Sequence, residues 1–313
     1  MLAVTRATLV SRVWASCRLP GGRRNDRKER DDMIGIIGGT GLYRMEALEV
    51  KETREVNTPF GKPSSPIVMG VLRGREVAFL ARHGLHHDLL PGEINFRANI
   101  WALKSVGVRT VIGVSAVGSL REEIRPGDIS IPTQYLDFTK GQRAATFFGN
   151  GMVAHISTAQ PVCSMTATLI ARVARSLGIP VHENKTYVCV EGPRLGTRAE
   201  SFLWRSAGAD LVGMTNVPEA FLAAEAQLGY CTISLATDYD CWLEDASQHV
   251  SVDQVIALFH KNLGRVQQVI AGAAAEYVED NSRPCRQALK SAIVTPREQM
   301  SDDQKRIVAF LLE

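Results

Sequence analysis

Residues 33–39 read MIGIIGG, a continuous apolar run that ends in two glycines. Such a run is typical of a buried strand that ends in a tight turn. Similar runs follow as RTVIGVSAVGSL at residues 109–120 and CTISLAT at residues 231–237, with helical stretches between them. This alternation predicts a single α/β domain in which helices flank a central mixed β-sheet.

Turn and capping residues divide the chain further. Arg73-Gly74 lies between two apolar runs within residues 66–82 and predicts a β-hairpin. Apolar spacing predicts helices over residues 93–107 and 162–178. Three capping boxes predict further helix starts, at Thr197 with Glu200, Ser251 with Gln254 and Ser301 with Gln304.

The N-terminal segment, residues 1–32, differs from the rest in its charge. It holds eight of the 36 basic and four of the 33 acidic residues, which leaves 28 against 29, or about −1, for residues 33–313. The segment could be a transit-like helix, a disordered extension or a stretch upstream of the true start, and we exclude it from the fold. Residues 33–313 are the predicted domain, with a helical tail from about residue 285.

Charge and cysteine content limit the partners that we expect. A nearly neutral domain gives no reason to propose nucleic acid or an anionic membrane surface as a partner. The sequence contains no apolar run approaching 18 residues, so we expect no membrane span. The six cysteines are scattered without a CxxC pair, which predicts free thiols in a reducing, cytoplasmic compartment.

Polar or glycine-rich groups follow five predicted strands. In open α/β sheets, ligands bind beyond the carboxyl ends of the strands, so we expect these groups to share one site. Four of them offer donors for an anion: the Thr40 turn, Arg82 with His83, Ser115, and Thr215. The sequence therefore predicts a small-anion site.

Other interpretations of these groups are weaker or remain open. Arg44 stands where a GxGxxG motif starting at Gly39 needs glycine, so a dinucleotide fingerprint fails. The turn alone could equally be only structural. His83 and His87, which with His86 form a histidine cluster, could share a helical face, but Gly84 and Pro91 favour a loop, and no carboxylate has the HExxH spacing. We therefore expect neither metal nor cofactor.

Asp238 and Asp240 stand two residues apart at the end of a predicted buried strand. They could cap a helix or lie in a solvated turn. Alternatively, a buried carboxyl group could recognise a base edge and donate a proton to a leaving nitrogen. A glycosidase-like pair is a third interpretation, but it would leave the anion donors without a role.

Eight motifs in order resemble the methylthioadenosine phosphorylase branch of the trimeric purine-nucleoside phosphorylases, over roughly residues 33–278. They are IGIIGGTGLY (34–43), TPFGKPSSPIVMG (58–70), LARHG (80–84), INFRANIWALKSVG (94–107), AVGSLREEIRPGDI (116–129), VEGPRLGTRAES (190–201), MTNVPEAFLAAEA (214–226) and ATDYDCW (236–242). The resemblance implies a homotrimer that cleaves a nucleoside with inorganic phosphate as co-substrate and without a cofactor.

The resemblance also implies a role for individual residues. It implies phosphate binding by Thr40, Arg82, His83, Ser115, Ala116 and Thr215. It implies catalysis at the base by Asp238 and Asp240, and nucleoside contacts from Met214, Thr237, Leu195, Val252, Val255 and His155. His155 would come from the neighbouring subunit.

Three residues depart from the family pattern. Ser115 stands where threonine is frequent and keeps the hydroxyl, whereas Val117 replaces a cysteine or small residue. Leu195 replaces an aromatic residue near the base, which puts stacking on the purine in doubt.

The expected reaction is phosphorolysis of S-methyl-5′-thioadenosine, because Asp238 suits the adenine amino group and Val252 and Val255 suit a thioether. A broader purine-nucleoside or methylthioinosine phosphorylase, a hydrolytic nucleosidase and a non-catalytic nucleoside-binding protein are the alternatives.

Overall fold

The central strand β1 (Met33–Gly38) is buried along its whole length. In this computed structural model, which describes residues 33–43, 45–245 and 251–313, β1 pairs in parallel with β4 (Arg75–Ala81) on one side and β5 (Val108–Ser119) on the other. A strand covered on both faces needs apolar residues at every position, which explains the continuous apolar run. The predicted extension, residues 1–32, lies outside the described residues.

Nine strands form one mixed sheet. The remaining strands are β2 (Leu48–Arg54), β3 (Ile67–Leu72), β6 (Ile129–Phe138), β7 (Val181–Val190), β8 (Leu211–Gly213) and β9 (Gly229–Asp238). The strand order is β2-β3-β4-β1-β5-β8-β7-β6-β9, and β9 also pairs with β5. The last five strands therefore close on themselves as a small barrel, while β2, β3, β4 and β1 extend from it. The predicted hairpin is confirmed, because β3 and β4 are antiparallel across Arg73-Gly74.

Within the described ranges, six α-helices pack around the sheet. They are α1 (Phe96–Ser105), α2 (Ser164–Ser176), α3 (Arg198–Ser206), α4 (Asn216–Glu225), α5 (Val252–Glu276) and α6 (Asp302–Leu312). Side chains of α1, α4 and α6 share one core with Ile37 and Leu80, whereas those of α2 and α5 share another with Ile36 and Phe79. Neighbouring residues of one strand thus serve opposite faces, as strand geometry requires.

Helix starts follow the predicted capping residues. Complete capping boxes form at Thr197 with Glu200 and at Ser301 with Gln304, and the Ser251 side chain accepts from the Gln254 N–H. Each cap satisfies backbone donors that a helix start leaves unpaired.

The C-terminal segment is more than the weak helical tail that the sequence predicts. In α6, Val308 and Leu311 are buried in the core, and Phe310 stacks on Trp101 with ring centroids 4.0 Å apart. A stacked aromatic pair contributes about 0.5–1.5 kcal/mol beyond the area that it buries. The tail is therefore part of the folded body. None of the helices in the described ranges is long and apolar enough to cross a bilayer.

Candidate active site

The candidate site lies along the carboxyl-terminal half of β5. Strand β9 runs parallel to β5 and places Asp238 beside Gly118. Strand β8 is antiparallel to β5, with Val212 beside Gly118 and Leu211 beside Ser119. Continuing that register past the end of β8 places Thr215 level with Ser115. The five strand ends therefore meet, but Thr215 arrives from an antiparallel strand rather than a parallel one.

Arg82 lies beneath the ends of β1 and β5. Its Nη2 donates to the Ile37 carbonyl over 3.3 Å and its Nη1 to the Val114 carbonyl over 2.8 Å. Nε and Nη2 also donate to the two carboxylate oxygens of Glu219, each over 2.7 Å. Contacts with the described residues thus use four of the five N–H donors, which leaves one on Nη1 beside Val114 in β5.

The Arg82–Glu219 pair is a buried ion pair, with side chains 2% and 0% exposed. Burial alone would lower the pKa of Arg82, but the Glu219 carboxylate and its hydrogen bonds raise that pKa above its usual value. Tyr230 donates a further hydrogen bond to Glu219 over 2.8 Å. Arg82 is therefore a permanent cation held in place by the Glu219 carboxylate, a partner that the sequence did not indicate.

Two buried hydroxyl groups stand level with each other above Arg82. Ser115 Oγ and Thr215 Oγ1 have no hydrogen-bond partner of normal geometry among the described residues. A buried hydroxyl without a partner is costly, and native proteins pair nearly all of them. The pair of hydroxyls therefore suits a small oxyanion bound at this point.

His83 differs from the donor that the sequence suggested. Its Nδ1 lies 2.9 Å from the Leu89 carbonyl, which can only accept, so Nδ1 carries the proton. Burial, together with the nearby charge of Arg82, lowers the pKa of His83 to about 4, although the hydrogen bond with Leu89 acts against this. The ring is therefore neutral near pH 7, and Nε2 is an acceptor, which suits a protonated phosphate oxygen or a sugar hydroxyl.

Asp238 is positioned by an irregularity of β9. The register of β9 on β5 shifts between Val117, which pairs with Ala236, and Gly118, which pairs with Asp238. Thr237 is thereby skipped, and a bulge of this kind re-aims the next side chain. Glycine at 118 leaves space for this carboxyl group, because a Cβ there would lie 2.9 Å from Val212 Cγ1 and 3.0 Å from Asp238 Oδ1.

The Asp238 carboxyl group is buried and receives neutral donors only. Thr237 Oγ1 and the Asp240 N–H each donate to one of its oxygens over 2.7 Å. Burial raises the pKa of Asp238 to about 6, although the two hydrogen bonds act against this. Burial also raises the pKa of Asp240. A carboxyl group with a pKa near neutrality can deliver a proton.

The two ends of the site are separated by a distance that fits a nucleoside. Ser115 and Gly118 are three residues apart on one strand, so the backbone positions of Ser115 and of Gly118, which pairs with Asp238, are about 10 Å apart. That length accommodates an oxyanion, one sugar carbon and the five-membered ring of a purine in line. The arrangement can therefore hold a nucleophile at one side of a glycosidic bond and an acid at the other.

Of the other predicted site residues, some are packed within this chain and others are exposed. Ala116 lies on β5 beside Ser115, and the Met214 thioether packs on Gly192, where a Cβ would be 2.5 Å away. Leu195 is exposed, as is His155, whose backbone N–H donates to the Ala292 carbonyl. These two side chains are available to another molecule rather than fixed within this chain.

Three predicted contact residues lie next to segments, or have side chains, that are outside the described part of the chain. Val252 is exposed and Val255 half-buried at the start of α5, directly after residues 246–250, which are outside the described residues. The backbone of Thr40 starts a short 3-10 helix after β1, but its side chain is also outside the described set.

Sequence reasoning did not identify two buried charged residues, Glu219 and Arg143. Glu219 lies in the first turn of α4, and Arg143 lies in the loop after β6 with its side chain 2% exposed. Their only signal was a charge inside a mainly apolar or small-residue stretch, which does not identify a partner. In the described ranges, histidine, cysteine and acidic side chains form no cluster of three or more that could hold a metal ion.

Comparison with known proteins agrees with this geometry. Residues 33–278 match the family model described as the phosphorylase superfamily. The chain is 49% identical over 282 residues to the S-methyl-5′-thioadenosine phosphorylase of Geobacter sulfurreducens, covering 90% of this chain and 98% of that protein. It is 47% identical to that of Thermococcus kodakarensis, covering 83% and 99%.

Solved structures give the same result. The structure is similar to a methylthioadenosine phosphorylase from an antarctic soil metagenomic library, with a TM-score of 0.83, 48% identity, and coverage of 90% of this chain and 98% of that one. It is also similar to the Schistosoma mansoni methylthioadenosine phosphorylase in complex with adenine, with a TM-score of 0.79, 36% identity, and coverage of 83% and 98%. The chain therefore belongs to the phosphorylase superfamily, and within it to the S-methyl-5′-thioadenosine phosphorylases.

Proposed function

We propose that this protein is a pentosyltransferase that cleaves S-methyl-5′-thioadenosine with inorganic phosphate. The products are adenine and 5-methylthioribose 1-phosphate. The observation that carries the proposal is the placement of two buried hydroxyls, on Ser115 and Thr215, near one end of a line whose other end is the buried Asp238 carboxyl group, which pairs on β9 with Gly118, about 10 Å along β5 from Ser115. The activity named for the relatives at nearly half identity supports it.

Each end of the site has a defined part in the reaction. Phosphate would be held by Ser115, Thr215 and the free Nη1–H of Arg82, with a protonated oxygen donating to His83 Nε2. As the bond from C1′ to the purine N9 breaks, positive charge develops on the sugar and negative charge on the purine. Asp238 would donate its proton to purine N7, while a phosphate oxygen forms the new bond to C1′.

Substrate selection is proposed to come from the two ends of the nucleoside. A protonated Asp238 donates to N7, whereas its other oxygen can accept from the exocyclic amine of adenine. Thr237 and Asp240 hold that carboxyl group in place. Val252, Val255 and Met214 would contact the methylthio group and the ribose.

The exposure of the 5′ side favours an assembly. Val252 is 61% exposed in one chain, and His155 is exposed as well. An apolar pocket for a thioether needs a cover, which a neighbouring subunit that contributes His155 would provide. We therefore propose a homotrimer, tested by light scattering coupled to gel filtration and by the loss of methylthioadenosine preference in His155→Ala.

If the pocket stays open, the enzyme would also accept nucleosides with a free 5′-hydroxyl. A broader purine-nucleoside or methylthioinosine phosphorylase is the second candidate, and the exposure of Val252 is the observation that favours it. The ratio of kcat/KM for methylthioadenosine to that for adenosine and inosine decides between the two.

We further propose that the reaction needs neither a metal ion nor an organic cofactor, since phosphate, Arg82 and Asp238 supply the nucleophile, the cation and the acid. Activity should persist after dialysis against EDTA. The five cysteines in the described ranges are free thiols, which supports a cytoplasmic enzyme of purine and methionine salvage.

A spectrophotometric assay tests the central proposal. Methylthioadenosine, adenosine and inosine are each incubated with the enzyme, with and without phosphate. We expect adenine release from methylthioadenosine only when phosphate is present. Release of free sugar in phosphate-free buffer would instead identify a hydrolytic nucleosidase, and no release in either buffer would leave only nucleoside binding.

A further inference from the structure

Arg143 is the second buried guanidinium near the anion site, and the proposed phosphorolysis assigns it no role. It lies in the loop between β6 and α2, and its side chain is 2% exposed. Its guanidinium stacks 5.6 Å from the ring centroid of Phe96. A buried cation must be fully paired to be tolerated, so its partners indicate its purpose.

All five N–H donors of Arg143 have acceptors. Nη1 donates to the carbonyls of Met214 and Val217 over 2.7 and 2.6 Å. Nη2 donates to the carbonyls of Glu191 and Val190 over 2.9 and 3.3 Å, and Nε donates to Glu191 Oε1 over 3.0 Å. One guanidinium therefore joins two segments, residues 190–192 and residues 214–217.

Residues 214–217 are the segment that carries Thr215. The segment leaves β8 but is not yet helical, because Val217 has φ −114° and ψ 128°. Arg143 binds the carbonyls of Met214 and Val217, the first and the last of this segment. Thr215 lies between the two bound carbonyls, so its hydroxyl is presented from a backbone fixed at both sides.

Residues 190–192 form the surface on which Met214 rests. A Cβ at Gly192 would lie 2.5 Å from Met214 Sδ, so the thioether packs directly on that glycine. Gly192 has φ +70°, a conformation that favours glycine. The same guanidinium thus fixes the Met214 backbone and the segment that supports its side chain.

We propose that Arg143 is a positioning residue that sets the phosphate-binding hydroxyl of Thr215 and the ribose-contacting Met214 by clamping residues 214–217 to residues 190–192. This inference rests on the proposed function, which gives Thr215 and Met214 their ligands. A displacement of about 1 Å at such a site is enough to weaken catalysis strongly.

Arg143→Lys is the direct test, because lysine keeps the charge but cannot donate five hydrogen bonds in a plane. Arg121→Lys is the matched control. Arg121 Nε donates to Asp210 over 2.8 Å at the opposite end of β8, and its side chain is 27% exposed. Both variants lose an arginine contact next to β8, but only Arg143 holds the segment that contains Thr215.

We expect Arg143→Lys to raise KM for phosphate at least about tenfold, with a smaller fall in kcat. The rise in Tm that saturating phosphate produces should shrink in parallel, and this measurement requires no turnover. Arg121→Lys should lower Tm but leave both phosphate measurements within about twofold of the parent protein. A folded Arg143→Lys variant with unchanged KM and phosphate-induced Tm rise would overturn the inference.

Glu191→Ala covers the case in which Arg143→Lys does not fold. It removes one of the five acceptors and should raise KM for phosphate about threefold. An unchanged KM in Glu191→Ala would then overturn the positioning role. Failure of the parent protein to release adenine from methylthioadenosine with phosphate would overturn the proposed function instead, and the two failures are therefore distinguishable.

Discussion

The two ends of the candidate site treat buried charge in opposite ways. At the end that we propose to bind phosphate, the Arg82 cation is paired with Glu219, and its pKa is raised above the usual value despite burial. At the end that we propose to bind the base, Asp238 and Asp240 are buried without a cation among the described residues, and burial raises the pKa of both. Pairing fixes a charge, whereas burial without a counter-charge makes a carboxyl group able to hold a proton near neutral pH. The Arg82 end can therefore bind an anion through a fixed charge, and the Asp238 end can exchange a proton.

Removing the counter-charge at the phosphate end should have the largest effect. Glu219→Gln leaves the Arg82 charge buried without a carboxylate and should cost about 3–5 kcal/mol of unfolding free energy. Urea unfolding measures this loss of free energy, provided that the m-value is the same in the variant and the parent protein. Glu183→Gln is the control, since both terminal nitrogens of Arg175 donate to one Glu183 oxygen in an exposed pair, and it should cost no more than about 1 kcal/mol. Equal losses in the two variants would contradict the contrast between the ends.

Asp238→Asn tests the base end, because asparagine keeps the shape but cannot deliver the proton. We expect kcat/KM for methylthioadenosine to fall at least about 100-fold, with a relative gain for 6-oxopurine nucleosides. The exposed Asp137→Asn should leave the rate unchanged. A rate for Asp238→Asn close to that of the parent would exclude Asp238 as the acid.

The same variant should stabilise the protein in a pH-dependent way. The folded pKa of Asp238, about 6, lies above its ordinary value of 3.8, so the folded state binds the proton more tightly. Burial of the protonated Asp238 carboxyl group is therefore tolerated at acid pH. Burial of its charged form lowers the stability of the folded state as the pH rises from 3.8 through 6. The gain in unfolding free energy of Asp238→Asn should be about 2 kcal/mol larger at pH 8 than at pH 4.5. Urea unfolding at the two pH values measures the gain, and a pH-independent difference would contradict the shift.

Thr215→Val gives the smallest expected change and separates binding from stability. Because the Thr215 hydroxyl is buried without a partner among the described residues, its removal should leave Tm unchanged or slightly raised. KM for phosphate should rise about tenfold, equivalent to one lost charge-assisted hydrogen bond. Thr215→Ser should restore KM. A loss of Tm without a change in KM would show that the hydroxyl is structural.

The sequence predicted the elements of the fold more completely than the partners of the site residues. The β3–β4 hairpin and the capping boxes at Thr197 and Ser301 were identified, because turns and caps depend on neighbours within a few residues. The tail was underestimated, because the stacking of Phe310 on Trp101 joins residues more than 200 positions apart. Glu219 and Arg143 were missed for the same reason, since their partners lie on other segments.

The sequence by itself determined the α/β class, the strand ends that carry polar groups and the family, because these follow from local patterns and motif order. Only the tertiary structure decided the state of each group: a paired Arg82, a neutral His83, an Asp238 with a raised pKa and an Arg143 that binds the carbonyls of Met214 and Val217 on either side of Thr215. The physical reason is that charge and protonation depend on burial and on partners brought together by chain reversal, which no short stretch of sequence contains.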